Sequence, residues 1–119
     1  MLLVLECYWK GEGSLKLPRI YLGGKNSKGG KPLAEYIVEL AYRNHMVGIT
    51  VCKGIMGFGK KRHMHRSDFF TPSEDLPIII DLVDEEEKID EFEKEIKKLN
   101  FDGLIVKIPV DAYYMENEK

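Results

Sequence analysis

The residues best equipped for chemistry in this chain are gathered between Cys52 and Phe70. Gly54, Gly57 and Gly59 come first, then Lys60, Lys61, Arg62, His63, His65 and Arg66, with no acidic residue until Asp68. Glycine lets a backbone approach a ligand closely and turn its N–H groups towards an anion, and the cations beside it add charge. Composition alone therefore describes a phosphate cradle centred on Gly57, Phe58, Gly59 and Lys60. A plainer reading stands beside it, in which the glycines only bend the chain as it leaves a strand. The string Gly54-x-x-x-x-Gly59-Lys60 is not a P-loop: Lys61 occupies the place of the magnesium-holding Ser or Thr, and no amphipathic helix follows.

His63 and His65 would share one side of an extended segment, a spacing metals can use, with Asp68 as a nearby oxygen donor. Two histidines without a third fixed ligand are weak support. Solvated or partner-facing histidines are the stronger reading and no metal is expected, which leaves a metal-binding or scaffold role as the alternative. Lysines and arginines interleaved with Phe58, Phe69 and Phe70 also invite nucleic acid. A net charge of −2 and a pI near 5.9, without a wider basic face, argue against it. No Ser/His/Asp or Cys/His set stands at a motif spacing, so no catalytic residue and no enzyme activity are expected. Cys52 reads as a small buried strand residue.

Cys7 and Cys52 are too few and too far apart for a disulfide framework or a zinc ribbon, which fits a reduced, cytoplasmic setting. The apolar start, Met1 to Leu5, is interrupted at Glu6, and no export signal or membrane insertion is expected.

The elements around this stretch follow from periodicity. One domain is expected over residues 1–119, with an extension at 1–14, a long loop at 53–75 and an acidic tail at 110–119. Met1 to Trp9 is strand-like and reads as a possible added edge strand. Leu15 to Leu22 alternates as a strand, with Pro18 expected at its start or on an edge. Pro32 stands as a first helical residue, and Leu33, Tyr36, Ile37, Leu40 and Ala41 recur at helical spacing. Val47 to Cys52 is a short β-branched strand that delivers the chain into the glycine-rich stretch. Leu76 to Val83 is apolar throughout and reads as a buried central strand. Asp84 and Glu87 have capping-box chemistry for a second helix, whose stripe is Ile89, Phe92, Ile96 and Leu99. Asn100 to Gly103 is a turn in which Gly103 can take a positive φ, and Leu104 to Ile108 is the last strand.

The order β, α, β, long loop, β, α, β is that of a ferredoxin-like βαββαβ sandwich. This is an α+β fold, a four-stranded antiparallel sheet with two helices on one face. Two helices protect one side only, so apolar residues on the other are expected to meet further subunits.

Gly48-Ile49-Thr50-Val51 followed by Gly57-Phe58-Gly59-Lys60 resembles the base of the T-loop in PII signalling proteins, and Asp102-Gly103 resembles their B-loop. The strings GKPLAEYIVELAY, KGIMGFGKKRHMHRSDFF, DLPIIIDLVDEE and FDGLIV are similar to the PII-like proteins grouped as domain of unknown function 190 (UPF0166). The similarity runs from about Leu17 to Val110. It implies a homotrimer that binds an adenine nucleotide between subunits and signals to an as yet unknown protein partner through the loop. Carried over by position, Thr50, Gly57, Phe58, Gly59 and Lys60 would line one side of the cleft, with Asp102 and Gly103 near it. Thr50 would meet the base edge and the Gly57–Lys60 segment the phosphate, while Arg62, His63, His65 and Arg66 would belong to the reporting arm. The chain departs from PII at Leu104, where PII carries lysine, and it lacks arginines in Val110 to Met115. AMP or ADP is thus implied in preference to ATP.

Overall fold

A computed structural model describes residues 14–60, 64–66 and 76–117. The alternating run Leu15–Gly23 is strand β1, and it lies inside the sheet. Its Ile20 and Leu22 are buried, while Arg19 and Tyr21 point to the opposite face. Two antiparallel neighbours flank it. Pro77–Leu82 (β7) pairs from Arg19↔Asp81 to Gly23↔Pro77, and Gly103–Val110 (β9) pairs from Leu15↔Val110 to Leu22↔Gly103. Ile49–Lys53 (β4) closes the other side of β7, so the main strands run β4-β7-β1-β9. Helices Leu33–Arg43 (α1) and Glu86–Lys97 (α2) cover one face. Their buried residues Leu33, Ile37, Ala41, Phe92 and Ile96 pack with Ile20, Leu22, Ile78, Ile80 and Leu82 into one core. The expected α+β architecture, an antiparallel sheet with two helices on one side, is what the chain forms.

Four local expectations are corrected. Pro18 is interior to β1 rather than at its start or on an edge. The ladder explains the tolerance: Asp84–Glu85 (β8) continues the line of β7 against Leu15 and Lys16, and the pairing lapses where Pro18 would face Leu82. A proline without an N–H sits at the missing rung. Pro32 is the cap and not the first helical residue, because its extended ψ of 138° closes a hairpin. That hairpin pairs Ser27–Lys28 (β2) with Lys31–Pro32 (β3) across Gly29 and Gly30, whose φ of 60° and 82° are those a type I′ turn demands.

Third, Asp84 does not cap α2. Glu85 is the N-cap and makes no side-chain cap bond. Asp84 is instead fully buried, its carboxylate accepting from the N–H of Glu85 at 2.7 Å and of Val47 at 3.0 Å, with Lys88 Nζ at 3.5 Å. It ties the entry of β4 to the entry of α2. Fourth, Gly103 has no positive φ; that role in the turn falls to Asn100, at 53°. Glycine is needed at 103 because a Cβ there would lie 2.8 Å from the Tyr21 carbonyl oxygen and 2.6 Å from the Phe101 ring.

Candidate functional site

Strand β4 hands the chain to the glycine-rich stretch at Gly54, whose N–H donates to the Pro77 carbonyl at 2.7 Å. A Cβ on Gly54 would meet Pro77 Cγ at 2.9 Å, so this glycine serves the close approach of two strands. Met56–Gly57 (β5) then pairs with His65–Arg66 (β6), Met56 opposite Arg66 and Gly57 opposite His65. This short ladder clamps the root of the loop and presents Phe58, Gly59 and Lys60 in exposed positions beyond it. None of Gly54, Gly57 and Gly59 takes a positive φ, so the alternating nest that their composition suggested is not formed in this conformation.

The register places the remaining expected residues. Lys53 pairs with Ile78, Ile78 with Leu22, and Leu22 with Gly103, which makes a single row across the four main strands. The loop root and the Asp102-Gly103 turn therefore lie at the same end of the sheet but on opposite edges. Three strand intervals, roughly 14 Å, separate them within one subunit. The structure brings Gly57, Phe58, Gly59 and Lys60 together and keeps Asp102 and Gly103 apart from them. A second row, Thr50, Asp81, Arg19 and Val106, sets Thr50 beside a carboxylate on the uncovered face.

On the helix side of that same end, a cleft of about 350 Å³ opens between α1 and β4. Leu22, Val38, Val51 and Ile78 give it an apolar lining, and Glu35 and Lys53 bring charge to it. Sequence reasoning missed these residues. Their signal was the alternation in β4: Val51 and Lys53 share the helix face, and Thr50 and Cys52 take the other. Thr50 therefore points away from the cleft. Cys52 is exposed and not buried, because among the described residues β4 is an edge strand and no helix lies above its outer face.

Among the described residues, the face without helices is apolar around an ion pair. Arg19 donates to Asp81 from Nε at 2.8 Å and from Nη2 at 2.9 Å, a bidentate fork. Hydrogen bonding to Asp81, with a smaller contribution from Tyr21, raises the guanidinium pKa above its already high value. Around the pair lie Tyr21, Ile79, Leu104, Val106 and Ile108, with Leu104 60% exposed.

Arg62, His63, Asp68, Phe69 and Phe70, like the strand expected at Met1 to Trp9, fall outside the described residues, and His65 and Arg66 are described only as backbone. Among the described residues, no three His, Cys, Asp or Glu side chains gather as a metal site would require. No described helix is long and apolar enough to cross a membrane.

Comparison with known proteins converges on one group. The pattern of the family DUF190, described as Uncharacterized ACR, COG1993, matches residues 15–112. A UPF0166 protein of Aquifex aeolicus is 36% identical over 100 residues, spanning 84% of this chain and 94% of the relative. A second UPF0166 protein, from Methanocaldococcus jannaschii, is 35% identical over 92 residues, 76% of this chain and 84% of its own. Among solved structures, CPII of Thiomonas intermedia, bound to ADP and bicarbonate, superposes with a TM-score of 0.61 at 19% identity, over 82% of this chain and 86% of that one. A putative PII-like signaling protein of Thermus thermophilus gives 0.57 at 18% identity, over 82% and 90%. At such identities the structural likeness establishes a shared PII-like fold.

Proposed function

This chain belongs to the DUF190 (UPF0166) family, and from that premise we propose that it is a PII-like sensor that holds an adenine nucleotide between the subunits of a homotrimer. One row of the sheet carries this reading: Lys53, Ile78, Leu22 and Gly103 put the loop root and the Asp102-Gly103 turn at one end and on opposite edges. A single copy cannot close such a site. Head-to-tail contact, with the β4 edge of one copy beside the β9 edge of the next, completes it and closes as a ring.

In this reading the base enters the apolar cleft at Leu22, Val51 and Ile78, a setting suited to a flat aromatic ligand. Thr50 faces away from the cleft, so the base-edge contact passes from its hydroxyl to main-chain groups of strand β4. Gly57, Phe58, Gly59 and Lys60 meet the phosphate end, with Asp102 and Gly103 supplied by the neighbouring copy. AMP or ADP is favoured over ATP because Leu104, where PII carries lysine, is apolar and exposed, and Val110 to Met115 supply no arginine. CPII, a structural neighbour, is known bound to ADP and AMP, which supports the ligand class. The arm from Arg62 to Arg66 reports the bound state to a protein partner, and the reading includes no catalytic step.

Isothermal titration with AMP, ADP, ATP and cyclic dinucleotides tests it. Saturable heat with AMP and ADP, weaker with ATP, is expected; silence from every nucleotide at millimolar concentration would sink the proposal.

A further inference from the structure

We infer that the β2–β3 hairpin, with Lys25 and Lys28, is a second jaw of the cleft, which holds the phosphate end of the ligand against the loop root. The inference rests on the nucleotide reading above and deepens it, since no residue assigned there lies in this hairpin. The hairpin is an addition to the fold. A βαββαβ chain passes from its first strand into its first helix, whereas here residues 24–32 stand between the end of β1 at Gly23 and the start of α1 at Leu33. None of them is buried, so the core does not account for them. They are nonetheless held in place. The Asn26 carbonyl accepts from the Leu33 N–H at 2.8 Å, and Lys31 Nζ donates to Glu39 on α1, also at 2.8 Å.

The head of β7 carries both jaws. The Gly24 N–H donates to the Leu76 carbonyl at 3.1 Å, and the Gly54 N–H donates to the next carbonyl, that of Pro77, at 2.7 Å. Two consecutive carbonyls thus hold the entry to the hairpin beside the entry to the glycine-rich loop. The cleft lies between them, with Gly23, Gly24 and Pro32 lining it on one side and Lys53 on the other. Glu35 and Lys53 oppose each other in sign within that lining, so the charge that would hold a phosphate has to come from the rim. Lys60 stands exposed on the loop side, and Lys25 and Lys28 are exposed on the hairpin side. Lys28 also pairs directly with Lys31 across the turn. Like charges placed opposite each other destabilise a ladder. Glu39 answers Lys31, and an anion at the mouth of the cleft would answer Lys28. Lysine suits this task as a mobile point charge for phosphate. The base then keeps to the apolar interior at Leu22, Val51 and Ile78, and the phosphates lie between two lysine-bearing segments.

The test is isothermal titration of ADP and adenosine into the whole chain, into Lys25→Gln/Lys28→Gln and into Lys25→Arg/Lys28→Arg, with circular dichroism recorded on each. Lys97→Gln, an exposed lysine in the last turn of α2, is the control for a change in overall charge. The glutamine pair should bind ADP about tenfold or more weakly, and adenosine within about twofold of the parent. The arginine pair should recover most of the ADP affinity, and Lys97→Gln should bind like the parent. A glutamine pair that binds ADP as the parent does overturns the inference, as does an equal loss for ADP and adenosine or a loss that Lys97→Gln reproduces. A parent chain silent to both ligands overturns the nucleotide reading and this inference with it. A parent that binds ADP no better than its glutamine pair overturns the inference alone.

Discussion

The two faces of the sheet are written by alternate residues of the same strands, yet they serve different ends. In β7, Ile78, Ile80 and Leu82 are buried under α1 and α2, whereas Ile79 and Asp81 look out from the uncovered side. In β1, Ile20 and Leu22 join the core while Arg19 and Tyr21 face the other way. The helix face is satisfied by the chain's own elements and supplies folding free energy. The outer face keeps apolar side chains in water, which costs little in a lone subunit and becomes useful when a second surface arrives. In the proposed trimer, the hydrophobic residues of the two faces divide between folding and assembly.

Neighbouring isoleucines offer the sharpest way to break that comparison. Ile80→Ala should cost about 2–5 kcal/mol in urea unfolding, because a fully buried branch is replaced by a cavity. Ile79→Ala, one residue away and only partly buried, should cost the subunit less than about 1 kcal/mol. Equal losses at the two positions would mean that the outer face is already covered, and their persistence on dilution to the monomer would place that cover within one chain. Next in size is Asp84→Ala, expected to cost about 1–3 kcal/mol by leaving the Val47 and Glu85 N–H groups without their carboxylate. Asp84→Asn, which keeps an acceptor, should recover much of it.

Leu104→Asp changes the other side. Its effect on unfolding of the isolated subunit should stay within about 0.5 kcal/mol, since Leu104 is mostly exposed. Sedimentation should instead show weakened assembly; an unaltered mass would take the face out of the interface. The smallest effect concerns the loop root. Lys60→Ala should weaken ADP binding about fivefold, near 1 kcal/mol, with unfolding unchanged. Unaltered ADP affinity would move the phosphate away from Gly57–Lys60.

Much of the architecture was legible because its signals are local. Leu33, Ile37 and Ala41 recur on one helical face and are all buried, and Ile89, Phe92 and Ile96 do the same in α2. The β-branched run of β4 and the apolar run of β7 were found within a residue or two. Harder were positions whose meaning depends on a distant partner. Pro18 looked like an edge marker because nothing nearby reveals the lapsed rung between β7 and β8. Asp84 looked like a cap because one of its two backbone partners, the Val47 N–H, is far away in sequence. Cys52 looked buried because a strand's period does not say whether anything lies above it.

Composition and periodicity by themselves determined the order of elements, the two helix faces, the glycine-rich basic stretch and its place at a strand end. These depend on side chains within a turn or two of one another, and the chain's motifs were enough to indicate the family. Only the tertiary structure decided which face of β4 carries the cleft, that Thr50 turns away from it, that Gly54 and Gly103 are glycines for close approach, and that Arg19 meets Asp81. Each of these is a matter of register, and shifting a strand by one residue exchanges its two faces. Register is set by how whole strands pair across long stretches of sequence, so no local window of this chain could have shown that the two halves of its candidate site lie at one end of the sheet and on opposite edges.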